Sequence, residues 1–332
     1  MIECDVAAVV VTLGDTPRLH QAISSIRSSV TNLDVSVICV INDPSASGNW
    51  QRDGVHYVGA GMNLGWAGGV HAGLIGVDSQ YVWAIQDDMT VNRHALGSLL
   101  SEFAHDQSLA AVRPLNVSSD GRVHAFQQGN IAAIDGRITK RLPAVPTHPN
   151  CLKPIPDEGF LSSAGLLVRR DVWDATGGFD PWYFPWGHID VDFGQTLKSS
   201  GWNFRTVLGA HFTHHGQTST TTNFREMCLA RHNYLYGVKW GLEELVRDPE
   251  LAPVSPWIVE SSRLGAGQPR NTDIETLRRI SGIAAADLAM SASRWMGDEL
   301  TYFALRQLVT DQSVRRKTTH RLYTALRGKF AQ

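Results

Sequence analysis

The sequence predicts an α/β fold with a mostly parallel central sheet flanked by helices, on three observations. β-branched runs of strand length occupy residues 6–11 and 35–41, and between them Leu19, Ala22, Ile23 and Ile26 recur at helical spacing. Alternation of this kind, continued down the chain, belongs to parallel strands joined by crossover helices. A further apolar run, residues 81–85, passes straight into Gln86-Asp87-Asp88, placing acids where such sheets collect ligands, at the carboxyl ends of strands.

Taken in order, the first strand is followed by a helix announced by Thr16-Pro17, because proline is pre-organised for the first helical position. Residues 55–58 read as another short strand, 68–76 as a helix of small residues, and 93–103 as a helix after the Asp87-Asp88 strand. A loop-rich stretch then runs through Pro143, Pro146, Pro149, Pro154 and Pro156. After it come a strand over 160–168, the Gly177-Gly178 turn, a helix from about 190 to 199 closed by Gly201, and a helix over roughly 224–241. From about Pro253 the composition turns Ser-, Ala- and Arg-rich and helical, with Arg315-Arg316-Lys317, Arg321, Arg327 and Lys329 near the end. The expected organisation is a domain over 1–245, in halves 1–115 and 116–245, and a helical C-terminal extension over 250–332.

A chain of 332 residues, 43% hydrophobic, can bury a sizeable core. Its 30 Lys and Arg against 32 Asp and Glu exert no global pull toward nucleic acid or anionic membrane. Cys4, Cys39, Cys151 and Cys228 form no C-x-x-C pair, so neither a zinc site nor a disulfide framework is indicated, and reduced thiols are expected. The N-terminus lacks a signal-peptide pattern, and no apolar run approaches the roughly 18 residues of a membrane span. The expected location is cytoplasmic or peripheral to the membrane.

Four stretches carry chemistry. Asp87-Asp88 could hold Mg²⁺ or Mn²⁺ against a diphosphate, since magnesium accepts one or two protein carboxylates and completes its shell with phosphate and water; a solvated turn is the plain alternative. Asn63-Leu64-Gly65-Trp66-Ala67-Gly68-Gly69 permits close backbone approach to a ligand at a helix N-terminus that favours anions, or is simply a flexible loop. Trp182-Tyr183-Phe184-Pro185-Trp186-Gly187-His188-Ile189-Asp190-Val191-Asp192 sets aromatic faces suited to sugar rings beside two acids, one of which could serve as a general base. Asp192 also reads as a cap that orients the helix start. Finally, His211, His214 and His215 lie within five residues, close enough to supply a metal ligand.

In this order the four stretches resemble glycosyltransferase family 2, in particular its bacterial rhamnosyl- and galactofuranosyltransferase-like branch, over about residues 6–241. Further signs are Val9-Val10-Val11-Thr12, Asn42-Asp43-Pro44-Ser45, Trp83-Ala84-Ile85-Gln86-Asp87-Asp88, Ser163-Ala164-Gly165-Leu166-Leu167-Val168-Arg169-Arg170 and Gly177-Gly178-Phe179-Asp180. The resemblance implies the GT-A fold of nucleotide-diphospho-sugar transferases, with residues 1–115 as the nucleotide-sugar half and 116–245 as the acceptor half. It implies a UDP- or dTDP-linked donor, Mn²⁺ or Mg²⁺, inverting transfer of a hexose-type sugar, and a glycan or other hydroxyl-bearing acceptor. Thr12, Leu13, Asn42, Asp43, Asn63, Gly65, Trp66, Gly69, Asp87 and Asp88 would meet the donor. Asp88 and His214 would hold the metal, Asp190 would be the catalytic base, and Trp186, His188 and Asp192 would meet the acceptor. Arg231 and Asn233 match an Arg-Asn pair of the family, here split by His232.

Three positions depart from the family pattern. Gln86 replaces the first acid of its D-x-D motif, Asn42-Asp43 reverses the usual order, and Ile189 replaces the acid before the base. Two rival readings therefore stand beside transfer to a glycan: a nucleotide-sugar-binding protein without transferase activity, and a transferase acting on modified DNA or protein. On DNA, the basic tail would hold phosphates and binding would weaken steeply with salt.

Overall fold

The computed structural model describes residues 1–117 except 30, 44, 46, 47 and 49, together with 130–132, 138–141, 161–215, 222–247, 252–253, 258 and 273–295. The Pro143–Pro156 stretch, Cys151 and the basic residues from Arg315 to Lys329 lie outside them.

Strand β1 (Ile2–Thr12) is buried throughout from Val6 onward and pairs in parallel on both sides, with β2 (Val35–Ile41) and β4 (Val77–Gln86). β3 (Val55–Gly59) adds to the far edge of β2. The other half of the sheet holds β5 (Met89–Val91), β6 (Leu109–Val117), β9 (Leu166–Arg169) and β10 (Asn203–His214), while β7 (Asn130–Ala132) and β8 (Ile138–Arg141) pair separately. The order across the main sheet is β3-β2-β1-β4-β9-β6-β10-β5.

The parallel expectation holds for β3-β2-β1-β4 and for β6 with β10, whereas β9 runs against both β4 and β6, and β5 against β10. The strand expected over 160–168 is the shorter β9. Gly165 turns the chain into it at φ 77°, where a side chain would meet the Phe212 ring at 2.7 Å.

Residues of β1 alternate between two covered faces, which is why the run is apolar without a break. Val6, Ala8 and Val10 join α1 (Pro17–Arg27) and α3 (Ala95–His105); Ala7, Val9 and Val11 join α2 (Gly65–Gly73), α4 (Arg170–Thr176) and α5 (Ile189–Ser199). Thr16 caps α1 by accepting the Leu19 N–H at 3.1 Å, and the four apolar residues read from the sequence are the ones α1 buries. Leu19, Ile23 and Ile26 each contribute about 1.5–3 kcal/mol when fully buried.

Helix α2 lies unusually close to the sheet. A side chain at Gly69 would come within 2.6 Å of Val11 Cγ1, and one at Gly73 within 2.5 Å of Val9 Cγ1. Gly69→Ala should therefore destabilise the fold by roughly 1–3 kcal/mol through overpacking, read as a lower urea midpoint; an unchanged midpoint would show that α2 can lift without cost.

Helices α6 (Thr222–Trp240) and α7 (Ile274–Trp295) complete the described chain. Although α7 falls in the segment read as an extension, Leu277 is buried in the main core. Arg278 Nε donates to the Ala60 carbonyl at 2.9 Å and Ser281 Oγ to that of Leu64 at 3.1 Å, so α7 clasps the loop that leads into α2. Among the described residues no helix is long and apolar enough to cross a membrane.

Candidate functional site

The carboxyl edge of the sheet gathers the acids. Thr12, ending β1, is buried, and its hydroxyl lies 2.6 Å from Asp87 Oδ2. Burial raises the Asp87 carboxyl above its ordinary value; the Thr12 hydrogen bond opposes this and the neighbouring Asp88 charge reinforces it. Leu13, beside them, is one of few large apolar side chains left exposed among the described residues.

Antiparallel pairing of β5 with β10 sets His214 opposite Met89, and the His215 N–H donates to the Asp88 carbonyl at 3.0 Å. That registry brings His214 Nε2 to 3.3 Å from Asp88 Oδ2. The two other histidines turn away: His211 contacts the Leu208 carbonyl at 2.7 Å and His215 the Thr90 hydroxyl at 2.8 Å. Among the described residues no group of three or more His, Cys, Asp or Glu could hold a metal. The Asp88–His214 pair nonetheless fits Mn²⁺ or Mg²⁺ in a site that draws its remaining ligands from phosphate oxygens and water.

The glycine-rich segment is more occupied than its sequence suggests. The Asn42 amide donates to Asn63 Oδ1 at 3.1 Å and to the Gly65 carbonyl at 3.0 Å, while its oxygen accepts the Leu64 N–H at 2.8 Å. Gly65 N–H goes to Asn63 Oδ1 at 2.8 Å and Trp66 N–H to the Pro185 carbonyl at 2.8 Å. At the start of α2, where an anion site is expected, the Leu64, Gly65 and Trp66 N–H groups thus already have partners within the protein. Asn42 and Asn63 shape the loop, Gly69 seats α2 on β1, and the Trp66 indole donates to Ser163 Oγ at 3.2 Å. Asp43 lies on the next turn, accepting the Ser45 N–H at 2.8 Å.

Asp190 occupies the first turn of α5, partly exposed, with Oδ1 accepting the Val191 N–H at 3.1 Å and the Ser163 backbone N–H as a second donor. Burial raises its carboxyl to about 6, against the pull of those hydrogen bonds and of the Arg113 charge. Because Gly165 bonds to the Ala84 carbonyl near the end of β4, Ser163 and hence Asp190 stand at the same sheet edge as Asp87 and Asp88.

Asp192, read as an acceptor contact or a cap, is held internally. Its carboxylate takes the Lys239 ammonium at 2.7 Å, the Trp240 indole N–H at 2.9 Å and the Tyr183 hydroxyl at 3.2 Å. His188 is buried in a left-handed conformation (φ 57°) with Nε2 2.7 Å from Asn233 Oδ1, and burial lowers it to about 4, leaving it neutral. Tyr183 and Phe184 are core residues, which corrects the expectation of a wholly aromatic-lined approach; Trp182 and Trp186 alone of the four keep partial exposure. Arg231 forms a buried ion pair with Asp287 of α7 at 2.7 Å. The sequence reading missed Lys239, Asp180 and Arg113, whose importance depends on long-range partners.

No family model matches the chain. N-acetylglucosaminyl-diphospho-decaprenol L-rhamnosyltransferase of Mycobacterium tuberculosis is 29% identical over 252 residues, covering 69% of this chain and 81% of that protein. Galactofuranosyltransferase GlfT1 of Mycolicibacterium smegmatis is 30% identical over 163 residues, 48% of this chain and 52% of its own length. A crystal structure of GalNAc-T7 with UDP, GalNAc and Mn²⁺ superposes with a TM-score of 0.52 at 12% identity, over 83% of this chain and 56% of that one, a likeness of fold. Motifs, sheet and relatives together support a family 2 type glycosyltransferase of the bacterial branch, and the structure has a GT-A fold.

Proposed function

We propose that this glycosyltransferase is an inverting enzyme that moves a hexose-type sugar from a UDP- or dTDP-linked donor to a hydroxyl of a glycan or other glycoconjugate. The observation that carries the reading is the shared sheet edge of the Asp190 carboxylate and the Asp88–His214 pair. The nucleotide would lie along Thr12, Leu13, Asp43 and Asp87, with the loop from Asn63 to Trp66 bordering the sugar. Asp190 takes the proton of the acceptor hydroxyl. The acceptor oxygen then bonds to the anomeric carbon as the bond to the diphosphate breaks on the opposite face, the stereochemical logic of inverting sugar chemistry. A divalent cation held by Asp88 and His214 would stabilise charge on the departing nucleoside diphosphate.

Glycoconjugate acceptors agree with the name of the mycobacterial rhamnosyltransferase, and Mn²⁺ with the GalNAc-T7 complex. Release of UDP or dTDP on incubation with donor and acceptor is the direct test; binding without release would favour a nucleotide-sugar-binding protein instead.

Asp88→Ala should weaken Mn²⁺-dependent UDP or dTDP binding at least about tenfold, roughly the loss of one charge-assisted contact. Calorimetry showing unchanged metal-dependent affinity would remove Asp88 from the site.

A further inference from the structure

Arg113 stands within β6 and is 3% exposed. It shares its strand face with Ala111, which belongs to the core cluster that also holds Ile189, Val191 and Phe193 of α5. Buried charges are ordinarily paired, yet Arg113 makes no direct ion pair with any carboxylate among the described residues. Its Nε donates to Thr206 Oγ1 at 2.6 Å, directly across the β6–β10 register, and its Nη1 has no hydrogen-bond partner among the described residues.

The acid whose charge it feels is Asp190. Other charged groups around α5 are already committed. Asp192 and Asp180 share Lys239, Arg231 is paired with Asp287, and His188, kept neutral by burial, contacts Asn233. His232, likewise neutral by burial, contacts the Phe184 carbonyl. Burial lowers Arg113 to about 10, so it remains a cation at neutral pH.

We infer that Arg113 is a positioning residue: buried, held by Thr206 and carrying an unpartnered Nη1, it supplies the standing countercharge that keeps the Asp190 carboxylate ionised and oriented toward the acceptor. This rests on the reading of Asp190 as the base. The guanidinium suits the task because it holds its charge on burial and its planar fork is fixed by a single hydrogen bond. The cation stays in place while Asp190 gains and then loses the acceptor proton.

The test compares wild type, Arg113→Met, Arg113→Lys and Asp190→Asn in the full chain. kcat/KM is followed against pH, and the Asp190 carboxyl is titrated by NMR in ¹³C-aspartate-labelled protein, with Asp190→Asn identifying the resonance. In Arg113→Met the Asp190 titration and the acidic limb of kcat/KM should both move upward by about one pH unit, the low end of the effect of a nearby opposite charge. Activity on the acidic limb should fall about tenfold, and Arg113→Lys should restore much of it. Should Arg113→Met fail to fold, Arg113→Met with Thr206→Val removes both hydrogen-bond partners and strands neither.

An unmoved Asp190 titration overturns the inference. So does a raised acceptor KM with the limb unchanged, which would give Arg113 to the substrate. Full turnover by Asp190→Asn would instead overturn the base reading, and the inference with it.

Discussion

Asp190→Asn should lower turnover by roughly 10²–10⁴-fold, the usual contribution of a general base, with donor affinity little changed. Asparagine keeps the size of the side chain and an oxygen to accept the Val191 and Ser163 N–H groups, so the first turn of α5 should stay in place. What disappears is basicity. Since burial raises the Asp190 carboxyl to about 6, the wild-type base is ionised above that pH and protonated below it. A protonated carboxyl cannot take the acceptor proton, so kcat/KM should fall as pH drops through about 6, and this limb should be absent from the residual activity of the variant. Full turnover in the variant would put the base elsewhere.

The first half of the fold was legible because its signals are local. The buried positions of α1 follow from apolar spacing, its start from Thr16-Pro17, and β1 from an unbroken β-branched run. The Asp87-Asp88 edge was legible for the same reason, a strand passing directly into acids. Residue types alone narrow His214 only to a cluster of three, and the family resemblance singles it out; what sets it beside Asp88, unlike His211 and His215, is the β5–β10 register, a pairing of segments more than a hundred residues apart.

Features decided by distant contacts stayed hidden. Gly69 looks like a ligand-approach glycine, yet Val11 requires it. Asn42 looks like a donor contact, yet its amide meets Asn63, Leu64 and Gly65. Arg113 interrupts an apolar run and gives no local hint that a helix beginning 76 positions later sets an acid near it. β9 reads as one more strand of a parallel sheet, and its reversed direction follows from where the chain re-enters, at Gly165.

Lys239→Met should destabilise the protein by roughly 3–5 kcal/mol, because it removes the shared partner of two buried carboxylates. The Lys239 ammonium lies 2.9 Å from Asp180 and 2.7 Å from Asp192, and all three side chains are almost wholly shielded from water. Burial alone would lower Lys239, but the two carboxylates together raise it above its ordinary value, so it stays charged. The group joins three parts of the chain: α6 through Lys239, α5 through Asp192, and the turn after Gly178 through Asp180, whose carboxylate also accepts the Trp182 N–H at 2.9 Å. Without the cation, two like charges face each other in a medium that cannot screen them. Urea unfolding should show a lower midpoint for Lys239→Met, and adding Asp192→Asn should recover part of the loss by removing one stranded charge. Asp192→Asn alone should act on stability more than on chemistry, since its carboxylate serves Lys239, Trp240 and Tyr183 rather than the site. A midpoint unchanged in Lys239→Met would mean that water reaches the carboxylates, and that the network does not hold α5, and with it Asp190, in place.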